Sequence, residues 1–238
     1  MVPVLDDALV ERIAGNVARI RERVSAAAQT AGRSADDVTL VAVTKTRSAV
    51  EIKAACLAGV RHFAENRVEE AETKLPTPEL EGVTWHLVGH LQGRKARRAV
   101  GLFDRIDSVD SIRLARRLDA LAAEQGIVLP VLIEVNVSGE ESKYGFRLSD
   151  RMSLDAAAEE ILALPNLRVD GLMTVAFITA DPENVRPVFA RLRGLRDELR
   201  VQCPQTDWRH LSMGMSGDFD IGVQEGATMV RIGRAVFD

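Results

Sequence analysis

The sequence predicts an α/β fold of the (β/α)8 class, a single TIM barrel with an extra N-terminal helix. Three observations carry the expectation. Eight short β-branched runs appear after residue 37, at 38–43, 61–64, 84–88, 103–108, 131–137, 168–173, 209–212 and 228–232. They recur about every 27 residues, a normal length for one strand-plus-helix unit. The first run is followed by Thr44-Lys45-Thr46-Arg47, which lacks the glycine-rich turn that a doubly wound open sheet would carry there.

The elements follow in chain order. Val10, Ile13, Val17, Ile20 and Val24 recur at steps of three and four, one apolar stripe at helical period, and Gly32 is a natural stop. Residues 1–32 are therefore read as a helix packed outside the barrel. Helical stretches separate the strands, the clearest at 111–124 and 183–200. In the second of these, Val185, Val188, Phe189, Leu192, Leu195 and Leu199 share a face. No Pro/Gly/Ser-rich linker, low-complexity segment or repeat divides the chain, so residues 1–238 are expected to form one domain.

Composition narrows the function classes. Hydrophobic residues are 46% and charged residues 28%, with a net charge of −4, which excludes a disordered chain or a polyanion-binding coat. No apolar run approaches the length of a membrane helix, and Met1 to Asp7 lack a signal-peptide pattern. Cys56 and Cys203 are too few for a disulfide scaffold, so the expected setting is the cytoplasm. Aromatic residues are only 4%, too sparse for a stacking platform on nucleic acid. The basic run Arg94-Lys95-Ala96-Arg97-Arg98 is read as a solvated helix face. His86 and His90 are expected on one face of a strand, structural rather than metal-binding, because no Cys or carboxylate completes a ligand set.

In a barrel the site forms at the C-terminal ends of the strands. Those ends offer Lys45, Glu65-Asn66, Gly89 to Gln92, Asn136, Met173-Thr174, residues 212–217, and Arg231 to Arg234. Lys45 follows the apolar run Leu40-Val41-Ala42-Val43-Thr44, and a lysine at such a mouth is expected to be partly desolvated and nucleophilic toward carbonyls. The plainer alternative is a lysine snorkelling at the rim. Barrel phosphate sites form after strands seven and eight, where this chain has Ser212-Met213-Gly214-Met215-Ser216-Gly217 and Gly233. These glycines could also merely permit tight turns. A Schiff-base lysine facing a phosphate cup describes either a pyridoxal phosphate site or a Schiff-base aldolase. Lys143, in the loop 139–145, is read as a solvated lysine.

At this point the sequence resembles the pyridoxal phosphate homeostasis protein family, whose fold resembles the barrel domain of alanine racemase. The matching segments span residues 41–237: Val41-Ala42-Val43-Thr44-Lys45-Thr46, Phe63-Ala64-Glu65-Asn66, Trp85-His86-Leu87-Val88-Gly89, Leu91-Gln92 with Lys95, Ser142-Lys143-Tyr144-Gly145, Gly171-Leu172-Met173, 211–216 and 229–233. The resemblance implies that Lys45 carries pyridoxal 5′-phosphate as an internal aldimine. It implies that Arg231 faces the pyridine nitrogen, that Ser216 with the backbone at Gly233 and Arg234 receives the phosphate, and that Asn66 walls the pocket. Four positions depart from the family pattern: Ala64 stands for Gly, His90 for Pro, Arg94 for Asn, and Arg234 for a small hydroxyl residue. The sequence leaves open whether Arg234 turns inward as a charged fork or outward; a phosphate held mainly by backbone is the reading carried forward.

The function implied is a buffer or carrier of the cofactor with little or no turnover. An arginine at the pyridine nitrogen leaves the ring a weak electron sink, and no second β-domain is expected after Ile232. A racemase or lyase on the same cofactor is the alternative, and a cofactor-free aldolase using Lys45 a third. Expected partners are pyridoxal phosphate and apoenzymes that depend on it, with neither nucleic acid nor membrane, in a monomer or weak dimer.

Overall fold

A computed structural model of the protein describes residues 5–75 and 80–238. The first four residues of the expected N-terminal helix, and of the segment searched for a signal peptide, lie outside the described residues. All eight expected strands form, each within two residues of its expected bounds: β1 (Thr39–Val43), β2 (His62–Glu65), β3 (Thr84–Leu87), β4 (Arg105–Val109), β5 (Leu129–Asn136), β6 (Leu167–Met173), β7 (His210–Ser212) and β8 (Met229–Ile232). Every pairing is parallel, in the order β4-β3-β2-β1-β8-β7-β6-β5, and β5 pairs back to β4. The sheet is a closed (β/α)8 barrel. One further strand was not expected: Phe146–Arg147 pairs with Val135 and Asn136 of β5, and two residues are too few to show any alternation in sequence.

Local chemistry sets the helix bounds. Helix α1 (Asp7–Thr30) is capped by the Asp6 side chain and ends before Gly32, at φ +65°. It lies outside the barrel, where Asn16 Nδ2 donates to Val236 O at 2.9 Å. Helix α2 (Ala49–Leu57) opens on a full capping box between Ser48 and Glu51. Helices α3 (Val68–Lys74) and α4 (Ala96–Val100) follow β2 and β3. In α5 (Ile112–Gln125), the Ser111 side chain accepts from Leu114 N and Gly126 supplies the left-handed stop. Helix α6 (Arg151–Leu162) is capped by Asp150. The stretch expected from residue 183 begins as a 3-10 turn, Pro182–Val185, and becomes α7 at Arg186–Gln202, since Pro182 and Pro187 both lack an N–H. Two short helices, α8 (Phe219–Gln224) and α9 (Arg234–Phe237), close the last units. No helix of the described residues is long and apolar enough to cross a membrane.

Side chains alternate across the strands, so outward residues such as Phe63, Trp85, Ile106 and Leu172 join the helices in one core, while inward residues fill the barrel. Inside, β2 presents His62, Ala64 and then Asn66 at successive inward positions, and the layers follow that order. The lower layer is polar: His62 Nδ1 lies 3.0 Å from His86 Nε2, His86 Nδ1 lies 2.7 Å from Asp107 Oδ2, and Arg105 Nε donates to Asp107 Oδ1 at 2.9 Å. The middle is an apolar plug of Val41, Ala64, Leu132, Met173 and Met229. The upper layer, at the C-terminal ends, is polar again.

The lower layer is a source of acid sensitivity. Burial would raise the Asp107 carboxyl, but His86 and Arg105 outweigh it and hold the group well below the usual carboxylate range. Burial pushes His62 down to about 4, with the charges of His86 and Arg105 adding to the shift, and burial with Arg105 does the same to His210. A histidine depressed in the fold contributes stability above its ordinary value of 6.5 that is lost as pH falls toward 4. Resistance to urea should therefore fall between about pH 7 and about pH 4.5. His210→Gln should remove roughly 1 kcal/mol of that fall, after discounting for the partial exposure of the ring. An identical pH slope in the variant would show that His210 titrates normally.

Candidate functional site

The upper layer is assembled by strand parity. Val41, Val43 and Lys45 occupy alternate positions, so the β1 sequence carries the lysine to the barrel mouth. Lys45 itself is exposed, which corrects the expectation of a partly desolvated amine. The physical reason is that β1 stops at Val43 and the chain turns at once: Thr46 sits at φ +63°, an unusual conformation for a β-branched residue. That turn is held from α3, because Thr46 N donates to Glu70 Oε2 at 3.1 Å and Lys74 Nζ reaches the same oxygen at 3.3 Å. Beneath it, the buried Thr44 hydroxyl donates to Glu65 Oε1 at 2.5 Å, and Lys74 Nζ donates to Glu65 Oε1 and to Thr44 O at 2.8 Å each. Burial raises the Glu65 carboxyl despite these bonds.

Arg231 of β8 is the most buried cation of the mouth, at 5% exposure. Its NH1 donates to Ser212 Oγ at 2.7 Å and its NH2 to Thr174 O at 2.8 Å, so β6, β7 and β8 together fix the guanidinium. Burial lowers its pKa, opposed by the charges of Asp107, Glu134 and Asp218. Glu134, inward on β5, is pushed up to about 7 by burial and by Asp110, with Arg231 opposing.

The ends of β1 and β8 meet: a Cβ on Gly233 would lie 3.3 Å from Val43 O. The backbone therefore lies close under the mouth, and α9 begins at the next residue. Arg234 is exposed, and its side chain has no hydrogen bond or ion pair among the described residues. Ser216 is half-buried in the loop before α8, which is shaped by Met215 N donating to Asp218 Oδ1 at 2.6 Å. Gly214 has φ +95°, and a Cβ there would lie 2.9 Å from Phe219 Cα. Asn66 is half-buried after β2; a Cβ on Gly89 would come within 2.2 Å of Asn66 O, so only glycine fits beside it.

Other expected residues fall elsewhere. Asn136 organises its own loop, donating to Glu140 O at 2.8 Å and accepting from Gly139 N at 2.9 Å. Lys143 is half-buried rather than freely solvated, paired with Glu140 and 6.0 Å from the Phe177 ring. His86 and His90 do not share a strand face, because β3 ends at Leu87; His90 lies in the next loop, stacked on Tyr144 at 3.7 Å. Among the described residues no His/Cys/Asp/Glu group could hold a metal. The basic run lies on a solvated face, as expected, where Lys95, Arg97 and Arg98 pair with Glu69, Glu124 and Glu72. Sequence reasoning missed Glu134, Asp218 and the Thr174 carbonyl. Glu134 had left a trace, as a lone acid within Leu132-Ile133-Glu134-Val135, and Thr174 stood among the strand ends without a role for its carbonyl.

Chemically, the mouth joins an accessible primary amine, a fixed buried cation, and a cup of hydroxyl and close backbone, a set suited to an aromatic aldehyde that bears an anion.

Comparison with known proteins gives a consistent result. Residues 15–238 match the family model of the alanine racemase N-terminal domain. A protein of Pseudomonas aeruginosa called pyridoxal phosphate homeostasis protein is 40% identical over 94% of this chain and 94% of its own. One of the same name from Aquifex aeolicus is 39% identical over 93% of this chain and 95% of its own. The structure of PipY from Synechococcus elongatus with pyridoxal phosphate bound superposes with a TM-score of 0.82 at 37% identity, covering 95% of this chain and 100% of that one. With the barrel, the ordered motifs and near-complete coverage in agreement, the chain belongs to the pyridoxal phosphate homeostasis protein family.

Proposed function

We propose that this chain holds pyridoxal 5′-phosphate on Lys45 at the barrel mouth and serves cytoplasmic homeostasis of the cofactor as a buffer or carrier, with little or no turnover. Apoenzymes that use the cofactor are the proposed recipients, and a monomer or weak dimer the proposed assembly. The single observation that carries the reading is the convergence of Lys45, buried Arg231 and the Gly233 cradle on adjoining strand ends. The donor set fits the group, because an accessible amine suits the aldehyde and Arg231, engaged with Ser212 and Thr174 through two of its donors, has others left for the ring.

When bound, pyridoxal phosphate supplies an aldehyde that condenses with an amine and a ring that withdraws electrons. The residues then have separable roles. Lys45, carried on the strained turn at Thr46, supplies the amine. Arg231 uses donors on Ser212 and Thr174 and retains others for a ring nitrogen. A guanidinium does not give up its proton in the working range, so it leaves that nitrogen unprotonated and the ring a poor sink for a carbanion. Ser216 and the backbone N–H groups at Gly233 and Arg234 take the phosphate, and Asn66 walls the pocket.

One observation favours a second reading, a weak racemase or lyase: Glu134 is a buried carboxyl at about 7 beside Arg231, able to accept and return a proton near neutral pH.

Borohydride treatment of the protein loaded with pyridoxal phosphate should fix the pyridoxyl group on Lys45 by peptide mapping; label confined to Lys143 would overturn the assignment. Incubating loaded protein with alanine in heavy water should give no α-deuteration above the cofactor in buffer. Exchange that vanishes in Glu134→Gln would establish the second reading instead. Arg234→Ala should weaken cofactor binding less than about tenfold, since one charge-assisted bond would be worth roughly 1.5–3 kcal/mol and the proposed phosphate contacts are mainly backbone N–H groups. A larger loss in equilibrium titration would place the guanidinium on the phosphate.

A further inference from the structure

A cleft of about 450 Å³ opens beside the mouth, between the loop after β3 and the start of α5. It is lined by His90, Arg94, Asp110, Ser111, Arg113 and Arg117, among others. Most arginines of the neighbouring surface are neutralised: Arg97 by Glu124, Arg98 by Glu69 and Glu72, and Arg116 by Glu160. Arg94, Arg113 and Arg117 have no ion pair among the described residues, and Arg94 Nε donates only to Gln92 Oε1 at 3.1 Å. The one carboxylate of the cleft, Asp110, is already engaged, with His90 Nδ1 2.6 Å from its Oδ2.

The three guanidinium groups are exposed at the cleft, and Glu124, on which Arg117 also acts, is not part of its lining. Arg113 lies in the first turn of α5, at the positive end of the helix dipole, and Arg117 lies one turn on, so two like charges share a face. The first N–H groups of a helix also lack intrahelical acceptors. We propose that the cleft binds a small anion carrying two or more phosphoryl groups, held by Arg94, Arg113 and Arg117. Each guanidinium presents a planar fork that matches phosphate oxygens, and three of them suit a multiply charged ligand. The volume matches a small-molecule site, whereas a nucleic acid would need a longer basic track with aromatic faces. The assignment does not depend on what occupies the mouth.

Inorganic tripolyphosphate is the probe, titrated calorimetrically into the full-length protein at moderate salt in the presence of excess pyridoxal phosphate. Saturable one-site binding is expected, weakened at least tenfold in Arg113→Gln and in Arg94→Gln, which sits on the 3-10 turn Gly93–Lys95 outside α5. Arg116→Gln removes the same charge from the same helix but outside the cleft, and should stay within twofold of the parent. Absence of saturable binding, or equal weakening in Arg116→Gln, overturns the site. A hexaglutamate peptide that binds more tightly than tripolyphosphate, with the same arginine dependence, overturns the small-anion ligand in favour of an acidic protein segment.

Discussion

Burying a guanidinium inside a barrel costs several kcal/mol unless its hydrogen bonds and its charge are both answered, and Arg231 shows how much of this fold is arranged to answer one. Ser212 and Thr174 fix its nitrogens from two neighbouring strands. Its charge is balanced by Glu134, Asp218 and Asp107, three carboxylates drawn from three different units. None of these groups is placed well alone. Glu134 is pushed up to about 7 even with Arg231 opposing the shift, and burial raises Asp218 as well. The cation depends most on Glu134 and Asp218, because Asp107 is already held by His86 and Arg105 and acts on Arg231 only as a charge at a distance.

The lysine side of the mouth is built on a different principle. There the constraint is backbone conformation rather than buried charge. Thr46 occupies a left-handed conformation that costs of order 1–3 kcal/mol and persists only when its surroundings dictate it. The Glu70 carboxylate, itself bound by Lys74, receives the Thr46 N–H, and Lys74 also ties Thr44 to Glu65. Helix α3 therefore sets the direction in which β1 releases Lys45. The exposed Lys45 and the buried Arg231 thus stand on the two paired strands, first and last, that close the barrel.

The fold was legible because each unit repeats the same grammar: a β-branched run of four to eight residues, a helix, and a stop at a regular spacing. The two-residue strand Phe146–Arg147 escaped because pairing in so short a segment depends on the loop that Asn136 folds, and not on any pattern in its own residues. The placement of Lys45, Arg231 and Gly233 at the barrel mouth was legible because it follows from where the strands end. The burial of Lys45 was misjudged, since sequence shows the apolar run but not the turn that ends it. Glu134 was overlooked because its strand reads as apolar, although inward parity makes it a mouth residue. Lys143 is less solvated than its polar loop suggests because the Phe177 ring it approaches lies on a distant segment, and sequence proximity reveals neither that ring nor Glu69, Glu72 and Glu124, the partners of the basic run.

The apolar plug inside the barrel has a consequence for communication between its two ends. Val41, Ala64, Leu132, Met173 and Met229 leave no polar atom to relay a proton, yet Asp107, which belongs to the layer beneath, still acts on Arg231 above it. A low-dielectric wall stops matter while transmitting a field, because little mobile solvent stands in between to screen it. The floor of the barrel can thus serve as a fixed electrode for its mouth. Exchange of a charged residue at the floor would retune the upper cation without altering the shape of the cavity that cation serves, giving related chains a way to vary affinity while every group at the rim stays the same.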